Sequence, residues 1–188
     1  GFFIENDGEA QRFGLHAHAL SQPIDYRGPT PIPLFREIEG PEGIERISLG
    51  TLNFPSSWRG VLFLVLRHNE NPKLPFRFIP VEYWGPSIPE NHARIVNFCP
   101  IPLAARLSES RMLIPPNQQR DLDISSARTE LPIHLALQRD SKWQMILSTA
   151  FPVPNNQQML LIAFPDSAAF RTARILTIDD FPQIPAEP

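Results

Sequence analysis

Cysteine is almost absent from this sequence, since Cys99 is the only one among 188 residues. A chain with one cysteine forms no internal disulfide, so its stability must come from a packed core. Cys99 lies at the predicted end of a strand, before a turn, and has no histidine beside it in the sequence, whereas a catalytic thiolate needs a neighbouring base or cation. We therefore expect Cys99 to be a buried packing residue.

A surplus of basic charge is also lacking, because 17 Lys and Arg stand against 20 Asp and Glu, for a net charge of -3. Binding to a phosphate backbone requires a basic surface, so we expect no nucleic-acid partner. The longest apolar runs, such as Val61 to Leu66, are far shorter than the roughly 20 residues of a membrane-spanning helix. The sequence thus predicts no transmembrane segment.

Glycine is sparse, with nine residues, and none of them forms a glycine-rich loop that would cradle a phosphate. No Gly-x-Ser-x-Gly segment occurs, so the usual signature of a serine hydrolase is missing. These absences favour a protein that is not an enzyme and carries no cofactor.

Proline is abundant instead, with 22 residues. Because proline fixes φ and lacks an N–H donor, this density excludes long helices and limits strands to short segments. Apolar and polar residues alternate in many of these segments, a pattern typical of half-buried strands. The sequence therefore predicts an all-β fold, an antiparallel two-sheet β-sandwich of Ig-like or Greek-key type, with a jelly roll or flattened barrel as the alternative.

The length fits one well-buried core, so residues 1–188 are expected to form a single domain. Glycine and proline interrupt the pattern at residues 85–91, which predicts a long connection there, and residues 181–188 are expected to be a proline-rich tail. The apolar run Val61 to Arg67 is interpreted as a central strand covered on both faces.

The clearest hairpin turns at Gln138 to Ser141, between two alternating runs. Regular alternation predicts that both strands direct one set of apolar side chains to the same inner face. That set comprises Ile133, Leu135 and Leu137 on the first strand and Trp143, Met145 and Leu147 on the second.

Two pairs of side chains with the strand spacing i and i+2 are candidates for chemistry. His16 and His18 would project from one strand face and could bind one metal ion together. This spacing resembles the His-x-His of the cupin family, in which a glutamate follows within a few residues; here the first acidic residue is Asp25. Asp121 and Asp123 could share a strand face and shift each other's pKa, although solvated charges on an exposed edge are the simpler interpretation.

Tryptophans next to turns are candidates for a binding surface. Trp58 and Trp84 both border turns, where the binding loops of β-sandwiches lie. Aromatic residues are enriched at interfaces, which predicts that these two side chains contact a partner macromolecule, either a protein or a glycan.

Part of the second half resembles uncharacterised exported bacterial β-sandwich domains. The resemblance lies in Ala93 to Pro100, in Pro102 to Leu107 and in Leu113 to Pro116, where a strand ends in a short polar-proline segment before the next strands. It implies an extracytoplasmic, non-catalytic module located in the cell envelope or secreted. The first residue is Gly1, which predicts that an upstream segment such as a signal peptide has been removed.

Three hypotheses follow for function. The leading one is a non-enzymatic cell-envelope or secreted β-sandwich module that contacts another macromolecule. The second is a metal-dependent jelly-roll enzyme centred on His16 and His18, for which a third ligand must come from elsewhere in the fold. The third is a structural subunit of an assembly, in which an exposed strand edge pairs with a neighbour.

Overall fold

Strands occupy most of the chain, as the proline-rich alternating sequence predicts. The computed structural model describes residues 1–15, 20–67, 74–153, 158–166, 172–179 and 181. Within these residues the secondary structure is nearly all β, with a single 3₁₀ turn at Gly85–Ser87, so the all-β prediction is confirmed. The strands are β1 Phe2–Asn6, β2 Glu9–Phe13, β3 Ile32–Gly40, β4 Gly43–Leu52, β5 Val61–Arg67, β6 Phe76–Glu82, β7 His92–Asn97, β8 Leu103–Leu107, β9 Ser110–Ile114, β10 Gln118–Asp123, β11 Glu130–Arg139, β12 Lys142–Pro152, β13 Gln158–Pro165 and β14 Ala173–Ile178.

The chain divides into two compact units, Gly1–Tyr83 and Trp84–Pro188. The boundary lies beside the predicted connection at residues 85–91, which contains the 3₁₀ turn and ends just before β7. Each unit has its own cluster of buried apolar side chains. The expectation of one domain over residues 1–188 stays a prediction.

The C-terminal unit is a sandwich of two four-stranded sheets. We call the sheet with the order β12-β11-β8-β9 the front sheet and the one with the order β10-β7-β13-β14 the back sheet. Their pairings are antiparallel except for β7 with β13, which run parallel. No sheet in the described ranges closes on itself, so a β-sandwich, rather than the barrel alternative, describes the fold.

The core of this unit lies between the two sheets because alternate residues of both point inward. On β11 of the front sheet, Leu131, Ile133, Leu135 and Leu137 are all buried. They belong to one apolar cluster with back-sheet residues of β7, β10 and β13, namely Ala93, Ile95, Leu122, Met159, Leu161 and Ala163. The residues that alternate with them on β11, Pro132, His134 and Ala136, therefore face outward.

Two polar side chains are buried in the back-sheet strand β7 with their hydrogen bonds made. The Arg94 guanidinium donates from Nε to Asp121 Oδ1 at 2.8 Å and from Nη2 to Asp121 Oδ2 at 2.9 Å. It also donates to the Ser87 hydroxyl and to the Ser87 carbonyl, at 3.1 and 2.6 Å. The Asn97 amide donates to the carbonyls of Ile101 and Ile114 and accepts from the Cys99 N–H. These bonds fix the ends of β7 against its neighbouring loops.

The N-terminal unit contains a four-stranded sheet with the order β2-β1-β3-β4 and a separate hairpin, β5-β6. Its core is rich in aromatic side chains, which pack around Ile4, Ile32, Leu34 and Leu52. Among the described residues β5 pairs with β6 alone, and Val61–Leu66 are only half-buried. The interpretation of Val61–Arg67 as a central strand is therefore wrong; its continuous apolar pattern comes from a two-stranded ribbon with both faces partly covered.

No helix in the described ranges is long and apolar enough to cross a membrane.

Candidate functional site

A row of apolar side chains crosses the outer face of the front sheet. Strand pairing aligns Met145 with Ala136, Ala136 with Ala104, and Ala104 with Leu113, so the row spans all four strands. The outer residues of the row are large and exposed, Met145 at 56% and Leu113 at 53%. A core-like row of side chains thus faces outward.

Trp143 and Met145 reach this outer face because β12 contains a bulge. The pairing of β11 with β12 is regular up to Leu135 with Leu147 and then shifts, so that Ala136 pairs with Met145 and Ile146 is the extra residue. A bulge of one residue reverses the faces of everything beyond it. The predicted hairpin is confirmed, but the prediction that Trp143 and Met145 face inward is wrong.

The row forms a shallow groove, which we call the alanine groove. Its floor is Ala104 and Ala136, and its walls are Met145 with Trp143 on one side and Leu113 on the other. Small side chains between large ones make the concave shape, whose volume is about 710 Å³. Trp143 is 49% exposed, so part of its indole ring is available to a partner.

One end of the alanine groove is basic. The next row along the sheet places His134 beside Arg106, and Arg106 directly opposite Arg111. Arg106 Nε donates to the Ser108 carbonyl at 3.2 Å, and His134 Nδ1 lies 3.1 Å from the Ser148 hydroxyl. Like charges opposite each other on neighbouring strands disfavour the sheet. Two exposed arginines in this position suit a ligand that carries a carboxylate.

Both predicted tryptophans are half-buried and lie in different units. The Trp58 N–H donates to the Pro55 carbonyl at 3.0 Å, within a turn. Trp84 begins the 3₁₀ turn, and its carbonyl accepts from the Ser87 N–H and hydroxyl at 2.9 and 2.7 Å. The binding role of Trp58 and Trp84 stays a prediction, while the tryptophan with an exposed face in the groove is Trp143, which sequence analysis assigned to the core.

His16 and His18 lie outside the residues that the structure describes. In the part that it does describe, no group of three or more His, Cys, Asp or Glu side chains could hold a metal ion. The metal site therefore stays a prediction, which metal analysis of the protein before and after replacing both histidines with alanine would test.

The carboxylates of β10 make separate contacts. Asp121 forms the ion pair with Arg94, and Asp123 Oδ1 accepts from the Ser125 N–H at 2.8 Å. That hydrogen bond is the main reason why the pKa of Asp123 is lowered. Both side chains therefore make structural contacts with their own unit.

Cys99 is fully buried, and this burial raises the pKa of its thiol to about 12. At neutral pH the thiol remains protonated, which makes it a poor nucleophile. The burial of this residue, predicted from sequence, is confirmed.

No protein-family model, curated protein or solved structure matches this chain.

Proposed function

We propose that this protein is a non-enzymatic binding module of the cell envelope or of the secreted fraction, and that it holds a protein partner in the alanine groove. The observation that carries the proposal is the exposed apolar row Met145, Ala136, Ala104 and Leu113. Contiguous apolar patches on a soluble surface mark interaction sites. The envelope or secreted location rests on the sequence resemblance.

The chemistry of the groove favours a protein over a glycan. A glycan site needs several flat aromatic platforms for its sugar rings, whereas this groove has one exposed indole and walls of Met145 and Leu113. Methionine adapts to varied apolar side chains and is common at protein-binding surfaces. Protein side chains are the natural ligand for such a groove.

The basic end specifies what the partner carries beside its apolar residues. Arg106 and Arg111 lie one row from Ala104 and Leu113 on the same face. A segment with an apolar side chain and a neighbouring carboxylate would cover the alanine floor and reach the guanidinium groups together. The proposed ligand is therefore an acidic, apolar stretch of polypeptide.

Selection from a random peptide library, with the full chain as bait, tests the proposal. Binding peptides should be enriched in apolar residues next to Asp or Glu. Ala136→Arg fills the floor with a long cationic side chain and should weaken these peptides at least about tenfold, a loss of about 1.4 kcal/mol.

Ala150→Arg is the matched control, because Ala150 is exposed on β12 opposite Pro132 and outside the groove. It should bind the selected peptides as the wild type does. Peptides that bind Ala136→Arg and the wild type equally would contradict the proposal, as would turnover of a substrate at catalytic rates.

A further inference from the structure

The hairpin of β3 and β4 extends beyond the sheet that it belongs to. β1 pairs with β3 only at Phe3 with Phe35 and at Ile4 with Leu34, whereas β3 and β4 stay paired out to Gly40 with Gly43. We call residues 36–47 the isoleucine arm. Five residues of extended strand reach about 17 Å beyond Phe35.

Its turn is built to be tight. Pro41 and Glu42 connect the strands, and Gly43 follows with a φ of 126°, a backbone conformation that favours glycine. Near its base, Arg46 lies over the Phe35 ring at 4.8 Å and pairs with Glu37 at 3.2 Å. These contacts hold the arm in one direction.

The arm exposes three isoleucines. Ile44 is 71% exposed, and Ile38 and Ile47 are each 41% exposed. Ile38 and Ile47 share one face of the ribbon, while Ile44 is on the other. A two-stranded ribbon is only marginally stable alone in water, and its apolar residues gain most by contacting another surface.

The charges of the isoleucine arm oppose those of the alanine groove. Residues 36–47 contain Glu37, Glu39, Glu42 and Glu45 against Arg36 and Arg46, so the arm is acidic. Glu39 lies directly opposite Ile44, and Glu45 directly opposite Ile38. Each of these isoleucines therefore has a carboxylate beside it, which is the combination that the alanine groove suits.

The dimensions also agree. The walls of the groove are on β12 and β9, three strand spacings apart, or about 14 Å. Such a width accommodates the side chains of a two-stranded ribbon, whose strands lie about 4.8 Å apart. The isoleucine arm is such a ribbon, and it is acidic with exposed apolar side chains.

We propose that the isoleucine arm of one copy of this chain docks into the alanine groove of a second copy. The proposal rests on the binding role proposed for the groove and names its partner. Ile44, the most exposed isoleucine of the arm, would cover Ala104 and Ala136, and Glu39, directly opposite it, would pair with Arg106 and Arg111. Because arm and groove are different patches, the contact is heterologous, and repeating it links copies head to tail into a ring or a filament.

Sedimentation velocity on the full chain tests this contact. The wild type should increase in mean mass as its concentration rises, and added salt should weaken the association because ion pairs contribute to it. Ile44→Arg places a charged side chain on the docking face of the arm, and Ala136→Arg fills the floor of the groove. Each variant should stay monomeric. When the two variants are mixed they should form a complex of twice the monomer mass, because one still has a groove and the other an arm.

Three controls separate folding from docking. Ile38→Arg adds the same charge to the opposite face of the arm and should associate like the wild type, and circular dichroism checks that each variant is folded. Leu20→Arg and Ala150→Arg add the same charge at exposed positions outside arm and groove, and both should associate like the wild type.

A wild type that stays monomeric up to millimolar concentration would overturn the proposal, as would a mixture of the two variants that does not associate. Either result with selected peptides still bound at the groove would leave the groove's binding role intact and reject only its partner. Loss of peptide binding as well would reject both.

Discussion

The Arg94 and Asp121 pair is the most consequential contact made by individual residues. Arg94 is 6% exposed, so its charge depends on the carboxylate that accepts two of its hydrogen bonds. Removing Asp121 takes two charge-assisted hydrogen bonds away from this buried cation. Asp121→Ala is expected to lower the free energy of unfolding by about 1.5–3 kcal/mol, measured by urea denaturation.

Asp123→Ala is the matched control, two residues along the same strand. Asp123 is solvent-exposed and accepts a hydrogen bond from a backbone N–H, so its removal should cost clearly less. Equal losses from the two substitutions would mean that Asp121 acts only as a surface charge.

Because Cys99 is buried, the stability of the folded protein should depend on pH in the alkaline range. Its thiol has a pKa of about 12 in the folded chain against 9.0 in its ordinary state, because burial disfavours the thiolate. Between these values the unfolded chain releases a proton that the folded chain keeps, so stability falls as pH rises. The expected slope is at most about 1.4 kcal/mol per pH unit.

Comparison with Cys99→Ala isolates this effect, since all other titrating groups are common to both proteins. The wild type should lose stability more steeply than Cys99→Ala between pH 9 and pH 11, in urea denaturation series. Parallel curves would show that the thiol is not held in its neutral form.

Among the elements, β12 supplies the wall of the alanine groove that contains Trp143 and Met145. Its bulge at Ile146 places Trp143 on the outer face of the front sheet, where a substitution changes the free energy of unfolding little. Leu147 lies opposite the core residue Leu135. Trp143→Ala should therefore cost about 1 kcal/mol or less in urea denaturation, whereas a core tryptophan would cost about 3–5 kcal/mol. Leu147→Ala, on the same strand but facing inward, should cost more than Trp143→Ala; the reverse order would mean that the strand has no bulge.

The same strand shows how far sequence reasoning reaches. The hairpin was predictable because two alternating runs flank a short polar turn, in which Asp140 and Ser141 have φ of 48° and 61°, the values that a tight hairpin needs. The orientation of Trp143 was not, because alternation assumes that no residue is inserted in the ladder. The bulge has no signature in the apolar pattern around Ile146.

The groove was hidden from the sequence for a different reason. Ala104 and Ala136 meet only because β8 pairs with β11, strands distant along the chain, and an alanine alone predicts nothing about its neighbours. The position of Trp58 and Trp84 next to turns predicted a binding surface at those two residues instead. The all-β fold was predictable because it depends on proline density and alternation, which are local.

At the scale of the whole molecule, two apolar cores are present where sequence analysis expects one domain. The cluster around Leu34 has few fully buried members, whereas the one around Leu135 fills the sandwich. One domain predicts a single calorimetric transition, and Leu34→Ala and Leu135→Ala should both lower its midpoint, each costing about 2–5 kcal/mol. Two transitions, each shifted by only one of these variants, would contradict the single domain and show that the chain forms two independently unfolding domains.

The parallel pairing of β7 with β13 has a consequence for how the protein is made. During synthesis β7 leaves the ribosome well before β13. It can pair with β10, but its other edge stays unpaired until β13 follows. Contacts between such distant segments form slowly because a long loop must close first. Until Pro165 has emerged, the nascent chain carries an open, apolar strand edge, the kind of surface that chaperones shield from aggregation.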